Sequence, residues 1–164
     1  MKTLTYHTID KSAWSRGPWD NEPDKMQWQD EATGLPCIAK RNPRLGHWCG
    51  YVGVSEVHPL FSQDYSAAEN TEVHGGLTYS NFCEANADEA QGICHLPEPG
   101  EPAHVWWFGF DCAHCWDISP GMPRMIDDPG SRYRSLPYVQ AECASLAKQL
   151  AALPLAAETK DTDA

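Results

Sequence analysis

The run Val105-Trp106-Trp107-Phe108-Gly109-Phe110-Asp111 constrains the fold of this chain more than any other segment. Read with a period of two, it puts Trp106, Phe108 and Phe110 on one face and Val105, Trp107 and Asp111 on the other. Such a ribbon is the central strand of a sheet. It ends in Asp111-Cys112-Ala113-His114, so chemically capable side chains sit at the rim of a rigid scaffold.

Other segments supply strands around it. Leu35–Lys40 follows the turn Thr33-Gly34 and reads as a short strand. His47–Val54 alternates Trp48, Gly50, Val52 and Val54 against Cys49, Tyr51 and Gly53, and the two runs suit a hairpin. Glu72–Ser80 reads as a further strand broken at Gly75-Gly76, while Pro59 ends the element before it. Residues 81–103 are rich in Pro and Gly and read as loop. From about Pro137 to Leu150, the residues Val139, Cys143, Leu146, Ala147 and Leu150 recur at helical spacing, with Ser135 placed to cap and Pro137 in the first turn.

Strands first and one long helix last make an α+β pattern. The expected architecture is a single compact domain, a mainly antiparallel sheet with the C-terminal helix packed on it. Residues 1–34 form an ordered arm clipped on by Trp14, Trp19 and Trp28. Residues 35–152 form the α+β domain, and 153–164 a flexible tail.

The formal charge of −11 and the pI near 4.9 argue against a nucleic-acid partner, because that binding rests on phosphate neutralisation by Lys and Arg. The acidic residues are scattered, so a DNA-mimicking surface is weakly supported. No run approaches membrane-spanning length and no apolar segment follows Met1-Lys2, which predicts a cytoplasmic protein whose seven cysteines are reduced.

Three kinds of chemistry are open to these residues. Cys112-Ala113-His114-Cys115 has the close spacing zinc sites use, with Cys94 and His95 as a second source and Cys83 in reserve. Adjacent side chains on an extended chain point opposite ways, so Cys94 and His95 do not easily ligate together. Alternatively His58, His74, Asp111 and His114 sit at strand ends or in turns, where they could hold a divalent metal, zinc or another, and activate water. A Cys112–His114 nucleophile is a third option, but Cys112 lies in an apolar run and reads better as a buried, inert thiol.

Without metal, the same groups suit a small polar ligand. Gly75 and Gly76 let backbone approach a ligand, and their amides could meet phosphate beside His74 and Thr78. Trp107, on the Asp111 face, could stack a base or sugar. Arg124, Arg132 and Arg134 could pair with phosphates.

Val73-His74-Gly75-Gly76-Leu77-Thr78 and Trp106-Trp107-Phe108-Gly109-Phe110-Asp111-Cys112-Ala113-His114, with Gly17-Pro18-Trp19-Asp20 and Cys49-Gly50-Tyr51-Val52-Gly53-Val54, resemble a small-protein family encoded in phage and prophage genomes. The resemblance spans roughly residues 17–150. It departs at Cys115-Trp116-Asp117, where the family pattern has a small residue and then Gly before Asp. That departure weakens a zinc site built on Cys112 and Cys115 and moves weight to His74, Asp111, His114 and Asp117. The family brings no activity of its own.

Phage context implies a protein of the host bacterial cytoplasm that sequesters a small nucleotide-like signalling molecule against host defence, as a homo-oligomer. Its expected contacts are His74, Gly75, Gly76, Thr78, Trp107, Asp111, His114, Asp117, Arg132 and Arg134. The alternatives are a metal-dependent hydrolase acting on a nucleotide or phosphoester through His58, His74, Asp111 and His114, and an acidic protein-binding inhibitor.

Overall fold

A computed structural model describes residues 1–84, 87–122 and 128–154. Six strands, β1 (Leu4–Tyr6), β2 (Lys25–Gln29), β3 (Pro36–Arg41), β4 (Trp48–Val54), β5 (Tyr79–Phe82) and β6 (Trp106–Asp111), precede the helix α1 (Leu136–Ala151). The strands form one antiparallel sheet in the order β1-β2-β3-β4-β6-β5. The molecule is the α+β domain expected from the chain's patterning. No helix of the described residues is long and apolar enough to cross a membrane.

The alternation along β4 and β6 decides what covers each face. Trp48, Val52, Val54, Phe108 and Phe110 point to the face that also receives Val139, Cys143, Leu146 and Leu150 of α1. Cys49, Tyr51, Val105 and Trp107 point to the opposite face, where Ile38 and Ile93 close a smaller core. Burying one such apolar side chain contributes roughly 1.5–3 kcal/mol. The helix is therefore held mainly by its apolar stripe, since an isolated helix of its length is marginal in water. Gly50 is required on the helix face, because a Cβ there would sit 2.9 Å from the Cys143 sulfur and overlap the Phe110 ring.

Both ends of α1 are finished by side chains from distant sequence. Ser135 makes no side-chain capping bond. Instead Glu22 Oε1 accepts the Leu136 amide at 2.9 Å, and Glu22 Oε2 accepts from the Arg41 guanidinium at 2.9 Å. A carboxylate at a helix N-terminus is favoured by the helix dipole and the free amides there. At the other end, His58 Nε2 lies 2.9 Å from the Leu150 carbonyl, while its Nδ1 accepts the Leu60 amide at 3.1 Å. Both ring nitrogens of His58 are thus committed to backbone, and it is buried. This removes His58 from any catalytic cluster.

Three other expectations change. The N-terminal segment is ordered, but it also adds β1 and β2 to the sheet; Trp19 is buried and Trp28 packs against the main core. Of the proposed strand 72–80, only its end is strand, in β5; Val73–Gly76 is a turn closed by the Gly76 amide on the Val73 carbonyl at 2.9 Å. Cys83 and Cys94 are joined in a disulfide, so they are not reduced thiols and Cys94 is no zinc ligand. Arg124 and residues 155–164 of the expected tail lie outside the described residues.

Candidate functional site

Two segments more than thirty residues apart meet beside the N-terminal half of α1. One is the turn His74–Gly76. It cannot pair as a strand, so side chains of α1 satisfy its approach: Gln149 bonds both the amide (2.8 Å) and the carbonyl (2.7 Å) of Glu72, and Glu142 Oε2 accepts the His74 amide at 2.7 Å. The other is the stretch that leaves β6. There Asp111 Oδ1 accepts the Ala113 amide at 3.0 Å and ends the strand, and the chain turns through His114 to Asp117. A parallel bridge between Asp117 and Arg132 fixes this loop to the segment leading into α1.

Asp117 is the centre of the cluster. Its side chain is 1% exposed. Oδ1 accepts from Arg134 Nε at 2.8 Å; Oδ2 accepts from His74 Nε2 at 2.7 Å and from the His114 amide at 3.1 Å. Burial acts to raise its carboxyl, but the bonds from Arg134 and His74 outweigh that and hold it below the usual carboxylate range. An ionised carboxylate only accepts, so the Nε2 of His74 carries the proton. His74 Nδ1 then meets the hydroxyl of Tyr138 at 2.9 Å. Tyr138 also lies under the Arg134 guanidinium, 4.9 Å from its ring centroid.

His114 completes the group. Its ring is T-shaped to His74 with centroids 5.4 Å apart. Its Nδ1 lies 3.4 Å from Asp117 Oδ2 and 3.9 Å from Asp111 Oδ1, yet that nitrogen is buried and makes no hydrogen bond among the described residues. Gly75 sits against the imidazole so closely that a Cβ would overlap it, and its φ of +67° favours glycine as well. Gly76 also has a positive φ, +84°, but a Cβ there would meet none of the described residues within 4 Å.

The structure therefore brings together His74, Gly75, Asp111, His114, Asp117 and Arg134 from the expected set. Thr78 joins them through its hydroxyl, which donates to Asp111 Oδ2 at 3.1 Å. Gly76 belongs to the turn, but its amide is committed to Val73. Arg132 stays on the neighbouring loop, where its guanidinium bonds the carbonyls of Pro129 and Ser131.

Trp107 is a correction: it is fully buried in the opposite core and cannot stack a ligand. Cys112 is buried, and burial drives its thiol pKa well upward, which rules out a thiolate nucleophile or ligand in this state. Cys115 is exposed and is not among the grouped metal-ligating side chains of the described residues, which are His74, His114 and Asp117.

Sequence reasoning missed Tyr138 and Glu142, both on the polar side of α1. Their spacing of four put them on one helix face, but nothing in the sequence said what that face meets. It also missed Trp116, which is 58% exposed and holds a φ of +74°. A positive φ in a bulky non-glycine residue is a costly conformation that collects at functional positions. No protein-family model, curated protein or solved structure matches the chain.

Proposed function

We propose that the protein binds and sequesters a small nucleotide-like molecule at the rim formed by Asp111, His114 and the Gly75 turn, as a phage protein acting against a host nucleotide signal would. The observation that carries this reading is the half-open pair at the rim. The side chains of His114 and Asp111 are 37% and 31% exposed, while the groups behind them are fixed by Asp117, Arg134 and Tyr138. Pre-organised polar groups with open edges suit recognition of sugar hydroxyls or a base edge.

Trp116 takes the stacking role that Trp107 cannot. It is an exposed indole one residue before Asp117, and its ring lies against Gly130. His74 acts behind the rim, since both its ring nitrogens and its amide are already bonded.

Mass spectrometry of small molecules released from purified protein tests the proposal. A nucleotide-like compound recovered intact from wild type, and lost in Asp111→Ala and His114→Ala, supports it. Retention unchanged in both variants removes the rim from the account. A second reading, hydrolysis of a phosphoester, is favoured by the closeness of two imidazoles to one buried carboxylate. Turnover of cyclic dinucleotides by the purified protein would replace sequestration with that activity.

A further inference from the structure

We infer that His74, His114 and Asp117 form a binding site for one divalent transition-metal ion, with His74 Nε2, His114 Nδ1 and Asp117 Oδ2 as ligands. One ligand atom from each of the three side chains lies within 4.8 Å of the others. Two imidazoles and a carboxylate suit zinc and its neighbours in the first row. The inference does not depend on the identity of any organic ligand.

The arrangement of the remaining atoms is the main argument. In metal sites the far nitrogen of a ligating histidine and the far oxygen of a ligating carboxylate are held by outer partners. Here His74 turns Nδ1 to the Tyr138 hydroxyl at 2.9 Å and Asp117 turns Oδ1 to Arg134 at 2.8 Å. What each side chain leaves for the centre is a ligand atom. His114 Nδ1 is the second argument: a buried ring nitrogen without a hydrogen bond is costly, and a metal would satisfy it.

Distances fit with one local change. Tetrahedral ligands at zinc bond lengths stand about 3.3 Å apart. His114 Nδ1 and Asp117 Oδ2 are already 3.4 Å apart. His74 Nε2 and Asp117 Oδ2 are 2.7 Å apart, joined by the hydrogen bond that the ion would replace. Coordination needs the Nε2 lone pair, so the His74 proton moves to Nδ1, from which it donates to the Tyr138 oxygen. The charges also favour a cation: among the described residues, the carboxylates of Asp111, Asp117 and Glu142 gather here, with Arg134 paired to Asp117.

Equilibrium dialysis against Zn2+ with metal analysis, run on the full chain, tests the site. Wild type and Cys115→Ser should each hold one Zn2+ per chain; the second excludes the exposed thiol as the source. His114→Ala should lose that ion. Among the described residues its ring nitrogens make no hydrogen bond to lose, and circular dichroism checks that the variant is folded. Tyr138→Phe keeps the ligands but loses the outer partner, so its affinity should fall about 10- to 100-fold. Zinc bound with undiminished affinity by folded His114→Ala, or no stoichiometric zinc in wild type, overturns the site. An ion lost from Cys115→Ser but kept by His114→Ala overturns it too.

Discussion

Gly75→Ala and Gly76→Ala form a matched pair that separates backbone strain from damage to the site. Both positions have positive φ, +67° and +84°, so each alanine bears the left-handed penalty of about 1–2 kcal/mol. For a domain of this size that lowers Tm by roughly 2–8 °C. The Gly76 methyl would touch none of the described residues, so the cost should end there. The Gly75 methyl would overlap the His114 ring, whose displacement adds about 1 kcal/mol through an off-rotamer side chain.

The larger difference is functional. A displaced His114 is separated from Asp117 Oδ2, so Gly75→Ala should lose zinc and the released small molecule, while Gly76→Ala keeps both. Thermal denaturation followed by circular dichroism gives the first quantity, and dialysis with mass spectrometry gives the second. If Gly75→Ala binds as wild type does, or if both variants lose binding alike, the reasoning that Gly75 seats His114 is refuted.

Three further outcomes follow from particular contacts. Glu22→Ala removes a largely buried carboxylate shared by Arg41 and the α1 N-terminus, and should cost about 3–5 kcal/mol in urea unfolding; a loss under 1 kcal/mol contradicts its place at the helix start. Burial pushes the Glu22 carboxyl up, but bonds from Tyr133, the Leu136 amide, Arg41 and Trp48 bring it below its ordinary value of 4.5. Its contribution is therefore complete above that value and disappears as pH falls through the lower folded-state pKa, so the stability gap between wild type and Glu22→Ala should narrow in acid; a gap that widens contradicts the assignment. His58→Ala should destabilise by about 1–3 kcal/mol through the uncapped Leu150 carbonyl yet leave zinc binding intact, and lost binding would return His58 to the site. Trp116→Gly should relieve about 1–2 kcal/mol of backbone strain and weaken retention of the small molecule; equal retention removes the indole from ligand contact.

The sheet's inner strands were legible because β4 and β6 alternate cleanly and α1 carries an unbroken apolar stripe. β1 and β2 were not. Leu4–Tyr6 is too short to show a period, and β2 places Lys25 and Gln27 on its buried face. Those two buried polar groups satisfy loop carbonyls: Lys25 Nζ reaches Cys94 O at 2.8 Å and Gln27 Nε2 reaches Leu96 O at 3.2 Å. Polar residues on the buried face erase the hydrophobic pattern that a sequence reading depends on.

The candidate site was half legible. Glycines beside His74 and the polar end of the tryptophan-rich strand marked its two segments. The failures have physical causes. Trp107 faces a second core that depends on Ile38 and Ile93, which come from separate parts of the chain. His58 is drawn to a helix end whose position only the fold supplies. Nothing in the sequence links Tyr138 and Glu142 to the His74 turn, which only the fold lays across their side of the helix.

A double-mutant cycle between His74 and Asp117 interrogates that meeting of segments most directly. Unfolding free energies of wild type, His74→Ala, Asp117→Ala and the double variant yield the coupling between two residues 43 positions apart. A hydrogen bond to a buried, ionised carboxylate predicts a coupling of about 1–3 kcal/mol. Single-variant effects that add to within about 0.5 kcal/mol would mean the turn and the strand end do not touch, and the site built on their contact would fall.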